Sequence, residues 1–370
     1  MTAIAVPDSP APRPAAKPLR ILMIQVGNPI DDDDSCESRL RMRSWEGGDR
    51  WYRKKDVVNA TDQMCSLEHE HVHVDYGFLS NRKSIGALLR AGKRLRQEAG
   101  RGDVQLVHVL WGITTSLMAV LFSPVPVVVS FSGSDLFGAV DEHGRRTWQG
   151  RVSRSLSQLS ALGASRIIVK SARMRDVLWP PSRRKAVVIP NGVDLGRFRP
   201  EPRAQARRRL RRPDSEKLIL FFTGGGAAVK NRPLAEAVAA RVQQDVPASR
   251  LWCVDGVPHE ELADYYNAAD ALLLTSFHEG SNNSLKEALC CNLPVVSVDC
   301  GDARERLSGV RNCVVVAGRH EAELASALVD ILRRGERSDG RTHVASLALD
   351  AIAARVRAVY DDTLSAARPR

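Results

Sequence analysis

The chain has 370 residues, 44% of them hydrophobic, enough to fill the cores of two ordinary domains. Its formal charge of +11 favours anionic partners, while an aromatic content of 5% leaves few stacking platforms and argues against nucleic acid. No apolar run approaches the length of a membrane span, residues 1–18 have no apolar signal core and read as a disordered tail, and seven cysteines without framework spacing imply reduced thiols in the cytoplasm.

Residues 19–26, Leu-Arg-Ile-Leu-Met-Ile-Gln-Val, predict a first strand that ends at Gly27. Asp31 to Asp34 follow, read as a solvated acidic loop in preference to a metal-binding pair. Between Ser38 and Lys55, Arg and Lys interleave with Trp45, Trp51 and Tyr52, a mixture suited to a phosphate-rich or interfacial acceptor, although exposed arginine is so common in this chain that a solvated face is favoured. His69, His71 and His73 alternate, so a strand would put them on one face; a part-exposed strand face is favoured over a metal site. A helix is expected over 84–97, with Ile85, Leu88, Leu89 and Leu95 inward and Arg90, Lys93, Arg94 and Arg96 outward. That basic face suits water and an anionic membrane surface equally.

Strands are expected at 104–110, 125–130, 167–170 and 186–189. The second of these runs into Phe131-Ser132-Gly133-Ser134-Asp135, and the last into the turn Pro190-Asn191-Gly192-Val193-Asp194, where Asn-Gly tolerates positive φ. An Arg-dense linker with a short helix, 197–212, marks a domain boundary. The strand 217–223 leads into Gly224-Gly225-Gly226 and then Lys230, a glycine turn that admits a phosphate close to the backbone. A strand at 251–255 and a helix at 259–268 come next.

The most informative stretch is 269–305. An apolar strand at 271–274 opens it, a polar loop carries Glu279 and Gly280, a helix starts near Ser284, and a second strand spans 295–298. Asn282, Asn283 and Ser284 are capping residues, so amides at this helix start suit a diphosphate, and the carboxylates of Glu279 and Glu287 suit either sugar and ribose hydroxyls on its two sides or, equally on spacing alone, a solvated loop and a surface helix position. Helices are also expected at 321–333 and 347–364.

The stretch Glu279-Gly280, then Glu287-Ala288-Leu289-Cys290-Cys291-Asn292-Leu293-Pro294-Val295-Val296, resembles the donor-site signature of retaining glycosyltransferases of family 4, and Ile189 to Asp194 resembles their interdomain turn. The resemblance implies an α/β chain of GT-B fold: two Rossmann-like, doubly wound domains facing a central cleft. It divides the chain into an acceptor-side domain at 19–196, a donor domain at 197–350, and a helix at 351–370 that crosses back to the first. Glu279 and Lys230 become the catalytic pair, at the donor sugar and the diphosphate. Donor binding falls to Gly27, Gly224, Gly225, Gly280, Ser281, Asn283, Ser284, Leu285 and Glu287, and the loop before 259–268 to the nucleobase. Ser132 and Asp135 become sugar or acceptor contacts, with Ser132 standing where the family has a histidine. Gly225 occupies the place of a family arginine, and Arg232 is the nearby cation that would replace it.

The implied activity moves a sugar from a nucleoside diphosphate sugar to a carbohydrate, lipid-linked or small-molecule hydroxyl acceptor, with no metal or other cofactor. The expected place is the cytoplasm, with peripheral contact at the inner face of an anionic membrane. Two rivals fit the same residues: a sugar-nucleotide epimerase or hydrolase, and a non-catalytic nucleotide-sugar-binding partner subunit.

Overall fold

The computed structural model describes residues 19–26, 29–30, 39–43, 49–53, 72–79, 85–224 and 227–367. Strand β1 (Leu19–Val26) is followed by a small antiparallel sheet of β2 (Pro29–Ile30), β3 (Arg39–Arg43) and β4 (Asp49–Arg53) in the order β2-β4-β3. The basic, Trp-containing stretch therefore forms the β3–β4 ladder, in which Arg41 lies opposite Trp51. Asp31 to Asp34, His69 and His71 lie outside the described residues, while His73 sits on β5 (Val72–Leu79). With β6 (Leu106–Leu110), β7 (Val127–Ser130), β8 (Arg166–Val169) and β9 (Ala186–Val188), the first half builds a parallel sheet ordered β5-β1-β6-β7-β8-β9.

The helices of this half are α1 (Ile85–Ala99), α2 (Ile113–Phe122), α3 (Ser134–Phe137), α4 (Trp148–Gly163), α5 (Ala172–Val177) and α6 (Pro180–Arg183). The steps β5 to β6, β6 to β7 and β7 to β8 all move the same way along the sheet, so right-handed crossovers stack α1, α2 and α4 on one face. Glycines let these helices touch: a Cβ on Gly92 of α1 would land 2.6 Å from the Phe122 ring, and one on Gly163 of α4 2.2 Å from Val120.

The second half begins with α7 (Arg203–Arg209) and contains a parallel sheet of β10 (Lys217–Phe222), β11 (Ser249–Val254), β12 (Ala271–Leu274), β13 (Val295–Val298) and β14 (Val314–Val316), ordered β11-β10-β12-β13-β14. Its helices are α8 (Arg232–Asp245), α9 (Leu262–Ala268), α10 (Asn283–Cys290), α11 (Ala303–Leu307) and α12 (Glu321–Arg334). The Arg-dense boundary is more than a solvated linker. Arg207 is 1% exposed, and its guanidinium holds the Ala268 carbonyl at 3.0 Å and the Asp270 carboxylate at 2.7 Å, clamping α7 onto the second domain.

Side-chain alternation divides each sheet between two apolar layers. Leu22, Ile24, Val107 and Val109 face the α1–α4 layer, and Ile219, Phe221, Leu273 and Val296 face α8 and α12. The opposite faces, with Ile21, Met23 and Leu106 from one sheet and Leu218, Leu220 and Leu272 from the other, merge into one core. α13 (Leu349–Ala367) joins them, contributing Ile352, Val356 and Tyr360. Tyr360 shares a 2.6 Å hydrogen bond with Nδ1 of His108, whose Nε2 lies 2.7 Å from the Ser130 hydroxyl, and burial pushes the His108 pKa down to about 3. Cys290 and Cys291 are fully buried in the merged core and pack as small apolar side chains.

Candidate active site

Both sheets are parallel, and the turns that follow β7 and β12 meet at Gly133 and Gly280, at the carboxyl ends of their strands, the place where open parallel sheets bind ligands. The loop after β12 supplies Glu279 and the loop after β10 supplies Lys230. Local bonds bring the two together: the Thr275 hydroxyl donates to the Lys230 carbonyl at 2.8 Å, and the Phe277 amide to the Val229 carbonyl at 2.8 Å. Asn231, in the left-handed region at φ 53°, turns the chain into α8. Gly224, at φ +60°, leaves room for the lysine stem, since a Cβ there would sit 3.2 Å from Lys230 Cε.

Lys230 Nζ then reaches Glu279 Oε1 at 2.8 Å. The Ser276 hydroxyl (2.8 Å) and the Asn282 amide (3.3 Å) donate to the same oxygen, which leaves Oε2 without a hydrogen bond among the described residues. Arg319, which the sequence did not single out, lies over the Phe277 ring and donates to the carbonyls of Ser276 and Phe277, bracing the loop from behind. Arg232, the nearby cation, pairs through Nε with Glu236 one helical turn away at 2.7 Å. Gly27 and Gly225 lie outside the described residues.

Helix α10 starts one residue earlier than the sequence suggests, capped by Asn282, whose Oδ1 accepts from the Leu285 amide at 3.2 Å. That bond corrects the expectation for Leu285, whose amide is spent on the cap and whose side chain is buried. The amides of Asn283 and Ser284 make no hydrogen bond among the described residues and are the ones left for an anion. Ser281 is corrected too, because its hydroxyl turns inward onto Asp302 at 2.8 Å.

Glu287, on the second turn of α10, is almost wholly buried against the crevice. His259 Nε2 meets one carboxylate oxygen at 3.0 Å and the Tyr266 hydroxyl donates to the other at 2.6 Å. Arg197 Nη1 lies 2.9 Å from His259 Nδ1, so Nδ1 accepts and the ring proton sits on Nε2, directed at Glu287. Burial and the Glu287 charge push the Tyr266 pKa up, keeping it a donor. A cavity beside this group is lined by Lys170, Asn191, Phe198, His259, Glu287 and Ile352. Lys170, at the end of β8, is 5% exposed, and burial lowers its pKa to about 8 against the pull of the Asp135 charge. Lys286, on the far side of α10, is fully buried and donates to the Asn191 carbonyl of the interdomain turn at 2.8 Å.

The first domain faces this wall with the turn after β7. Asp135, expected to touch the sugar or acceptor, instead points inward and is 1% exposed. Its carboxylate accepts from the backbone amides of Gly112 (2.9 Å), Ser132 (3.1 Å), Gly133 (2.8 Å) and Leu136 (3.0 Å). Burial nonetheless raises its pKa, with those four amides pulling the other way. Ser132 lies part-exposed on the turn, and its hydroxyl makes no hydrogen bond among the described residues. The two walls meet here: a Cβ on Gly280 would lie 2.1 Å from the Ser132 carbonyl oxygen, and one on Gly133 3.1 Å from the Gly280 nitrogen. Arg173 adds a second bridge, donating to the Asp299 carbonyl at 2.7 Å.

Two family models match the chain side by side, Glycosyltransferase Family 4 over residues 55–197 and Glycosyl transferases group 1 over residues 204–334. The chain is 30% identical over 187 residues to the D-inositol 3-phosphate glycosyltransferase of Geodermatophilus obscurus (41% of this chain, 41% of the relative). It is 28% identical over 236 residues to that of Thermobispora bispora (53% and 55%). The matches thus span about half the length of these curated relatives. Its fold is similar to that of sucrose-phosphate synthase from Thermosynechococcus elongatus (TM-score 0.71, 17% identity, 94% of this chain and 100% of that one). It also resembles Anabaena HepE solved in complex with UDP (TM-score 0.62, 15% identity, 93% and 100%). With its two Rossmann-like sheets, crossing helix and paired family matches, the chain belongs to glycosyltransferase family 4 and has the GT-B fold.

Proposed function

We propose that the chain is a retaining glycosyltransferase, moving a sugar from a nucleoside diphosphate sugar to a hydroxyl acceptor in the making of a cell-surface polysaccharide, glycolipid or other glycoconjugate. The observation that carries this reading is the Lys230–Glu279 pair, 2.8 Å apart and set against the Ser132–Gly133 turn of the facing domain. As the bond from the anomeric carbon to the diphosphate oxygen breaks, negative charge grows on the leaving group. In this reading Lys230 Nζ and the amides of Asn283 and Ser284 take up that charge, and stabilisation of developing charge is the largest lever such a site has. In this reading no metal ion is required, and chelation by EDTA leaves turnover unchanged.

Oε2 of Glu279, unpaired among the described residues, accepts from a donor-sugar hydroxyl near the anomeric carbon. Glu287, stiffened by His259 and Tyr266, accepts from the ribose hydroxyls. The acceptor oxygen attacks from the face the diphosphate leaves, and its proton passes to the departing phosphate oxygen. The UDP in the Anabaena neighbour makes a uridine diphosphate sugar the first donor to try, in the cytoplasm where such donors are made.

A thermal-shift screen with UDP-, GDP-, ADP- and dTDP-sugars tests the reading, because a donor that binds only the folded state raises Tm. The expected result is stabilisation by one class of donor, followed by a glycosylated acceptor with retained anomeric configuration. Stabilisation by none of them, or release of only free or epimerised sugar, would overturn it.

A further inference from the structure

Among the described residues, the nine most exposed large apolar side chains all lie between residues 85 and 187, in the first domain. Ile85 is 76% exposed, Leu121 67% and Trp148 71%. The second domain, with a parallel sheet of the same kind, leaves none so bare among its described residues. Single exposed apolar residues need no explanation, but a concentration on one layer does.

Helix α4 shows the reason most plainly, because its amphipathicity is reversed. The side it packs against the domain is small or polar: Gly150, Ser157, Gln158, Ser160 and Ala161 are buried. Ser157 donates to the Asp135 carbonyl, and Ser116 and Ser160 share a 2.8 Å hydrogen bond. The side it turns outward carries Trp148, Val152, Leu159 and Leu162, spaced i, i+4, i+11 and i+14, which is one helical stripe. Burying serines while exposing leucines costs stability in water, so this stripe is built for a partner.

Beside it lie α2, which carries no charged residue and exposes Leu121, and then α1, where Ile85 and Leu89, expected inward from the sequence, lie on the outer side together with Arg90, Lys93 and Arg96. Glu98, the one acidic residue of these three helices, is occupied by Arg94 at 2.9 Å. Arg151 adds an exposed cation on α4. We infer that the outer layer of α1, α2 and α4 docks the protein onto an anionic lipid bilayer, with the α4 stripe entering the headgroup region and the basic side of α1 resting on lipid phosphates.

Charge selects this occupant. A second copy of the chain would set basic helix against basic helix, whereas an anionic leaflet attracts each Lys or Arg. The apolar area spreads over three helices side by side, a shape that meets a plane and not a groove. Trp148, at one end of the stripe, is the residue type that settles at headgroup level. No described helix is long and apolar enough to cross a membrane, so the contact is lateral. The stripe also begins at the crevice. Gly150 abuts Ala139, and the loop that follows Ala139 reaches the second domain at Gly144, where a Cβ would lie 2.5 Å from the Phe277 ring. That the docked crevice serves a lipid-borne hydroxyl rests on the transferase reading; the docking itself does not.

Cosedimentation of the whole chain with vesicles tests the inference. The probes are phosphatidylcholine alone and phosphatidylcholine with about one third phosphatidylglycerol. The wild type is expected to favour the anionic vesicles by at least about tenfold, an advantage that shrinks with salt. A Val152→Ser, Leu159→Ser, Leu162→Ser variant is expected to lose about tenfold or more in partitioning. An Arg90→Gln, Lys93→Gln, Arg96→Gln variant is expected to lose about a hundredfold, at about fivefold per charge. Both variants change outward side chains only, and unaltered thermal unfolding and donor-induced Tm shifts establish that the fold and the nucleotide site are intact. Equal binding to both vesicles, indifference to the α4 changes, or a wild-type dimer in sedimentation velocity that those changes dissociate would each overturn the inference. A missing donor response with normal vesicle binding would count against the transferase reading alone.

Discussion

The two walls of the crevice use carboxylates in opposite ways. In the second domain, Glu279 keeps one oxygen tied to Lys230, Ser276 and Asn282 and the other without a hydrogen bond among the described residues. In the first, Asp135 turns away from the crevice and gathers four backbone amides of its own domain. One carboxylate is held by side chains of its loop and its neighbours, and the other is held by backbone amides.

The contrast breaks first on Glu279 and Lys230. Glu279→Gln and Lys230→Ala are each expected to lower kcat by about a hundredfold to a thousandfold, with thermal stability within about 0.5 kcal/mol of wild type. Wild-type turnover by both, with matched donor and acceptor, would remove the site assignment. Asp135→Ala should do the reverse at the level of the fold. It leaves the amides of Gly112, Ser132, Gly133 and Leu136 buried without their acceptor and is expected to cost about 3 kcal/mol in denaturant unfolding.

Gly280→Ala tests where the walls meet. Its Cβ would drive against the Ser132 carbonyl, so the crevice must part, and kcat is expected to fall about tenfold to a hundredfold while donor affinity changes by less than about threefold. Equal loss in both, read by stopped-flow and by calorimetry, would place Gly280 on the donor alone. Glu287→Gln should mainly raise the donor KM, by about tenfold, because it weakens binding common to ground and transition states.

The smallest effect concerns acid. An unfolded histidine titrates near 6.5, whereas buried His108 titrates near 3. Between those values the unfolded chain takes up a proton that the folded chain refuses, so stability falls as pH drops below about 6.5. Replacing His108 with Phe should lower Tm at neutral pH but flatten its decline between pH 6.5 and 5, read by calorimetry. An undiminished slope would assign the acid sensitivity to other groups.

How far the sequence speaks depends on distance along the chain. The unit from β12 through α10 to β13 was legible because its signals are local: an apolar run, a capping triplet, a Pro stop and two acids on either side of a helix start. Lys230 was legible through its glycine turn. The partners of Glu287 were not, because His259 and Tyr266 belong to another strand–helix connection, and nothing in an isolated His or Tyr says which carboxylate it will meet. Asp135 misled for a related reason, since a carboxylate in a turn reads the same whether it faces inward or out. The inverted face of α4 was equally hidden, as the pattern of Trp148, Val152, Leu159 and Leu162 would ordinarily mark the buried side. Arg207 was one arginine among many in the boundary linker, and nothing near it in the chain points to its partner Asp270.

Helix α13 has a consequence for how the protein comes into being. The face of the first sheet that carries His108 is completed by Tyr360, which follows β9 by more than the whole second domain. On a ribosome, that apolar face waits uncovered for on the order of ten to thirty seconds while the intervening residues are made. The first half is thus a debtor to the end of the second, and a translational pause within 189–348 would prolong the interval in which it is open to chaperones or to aggregation.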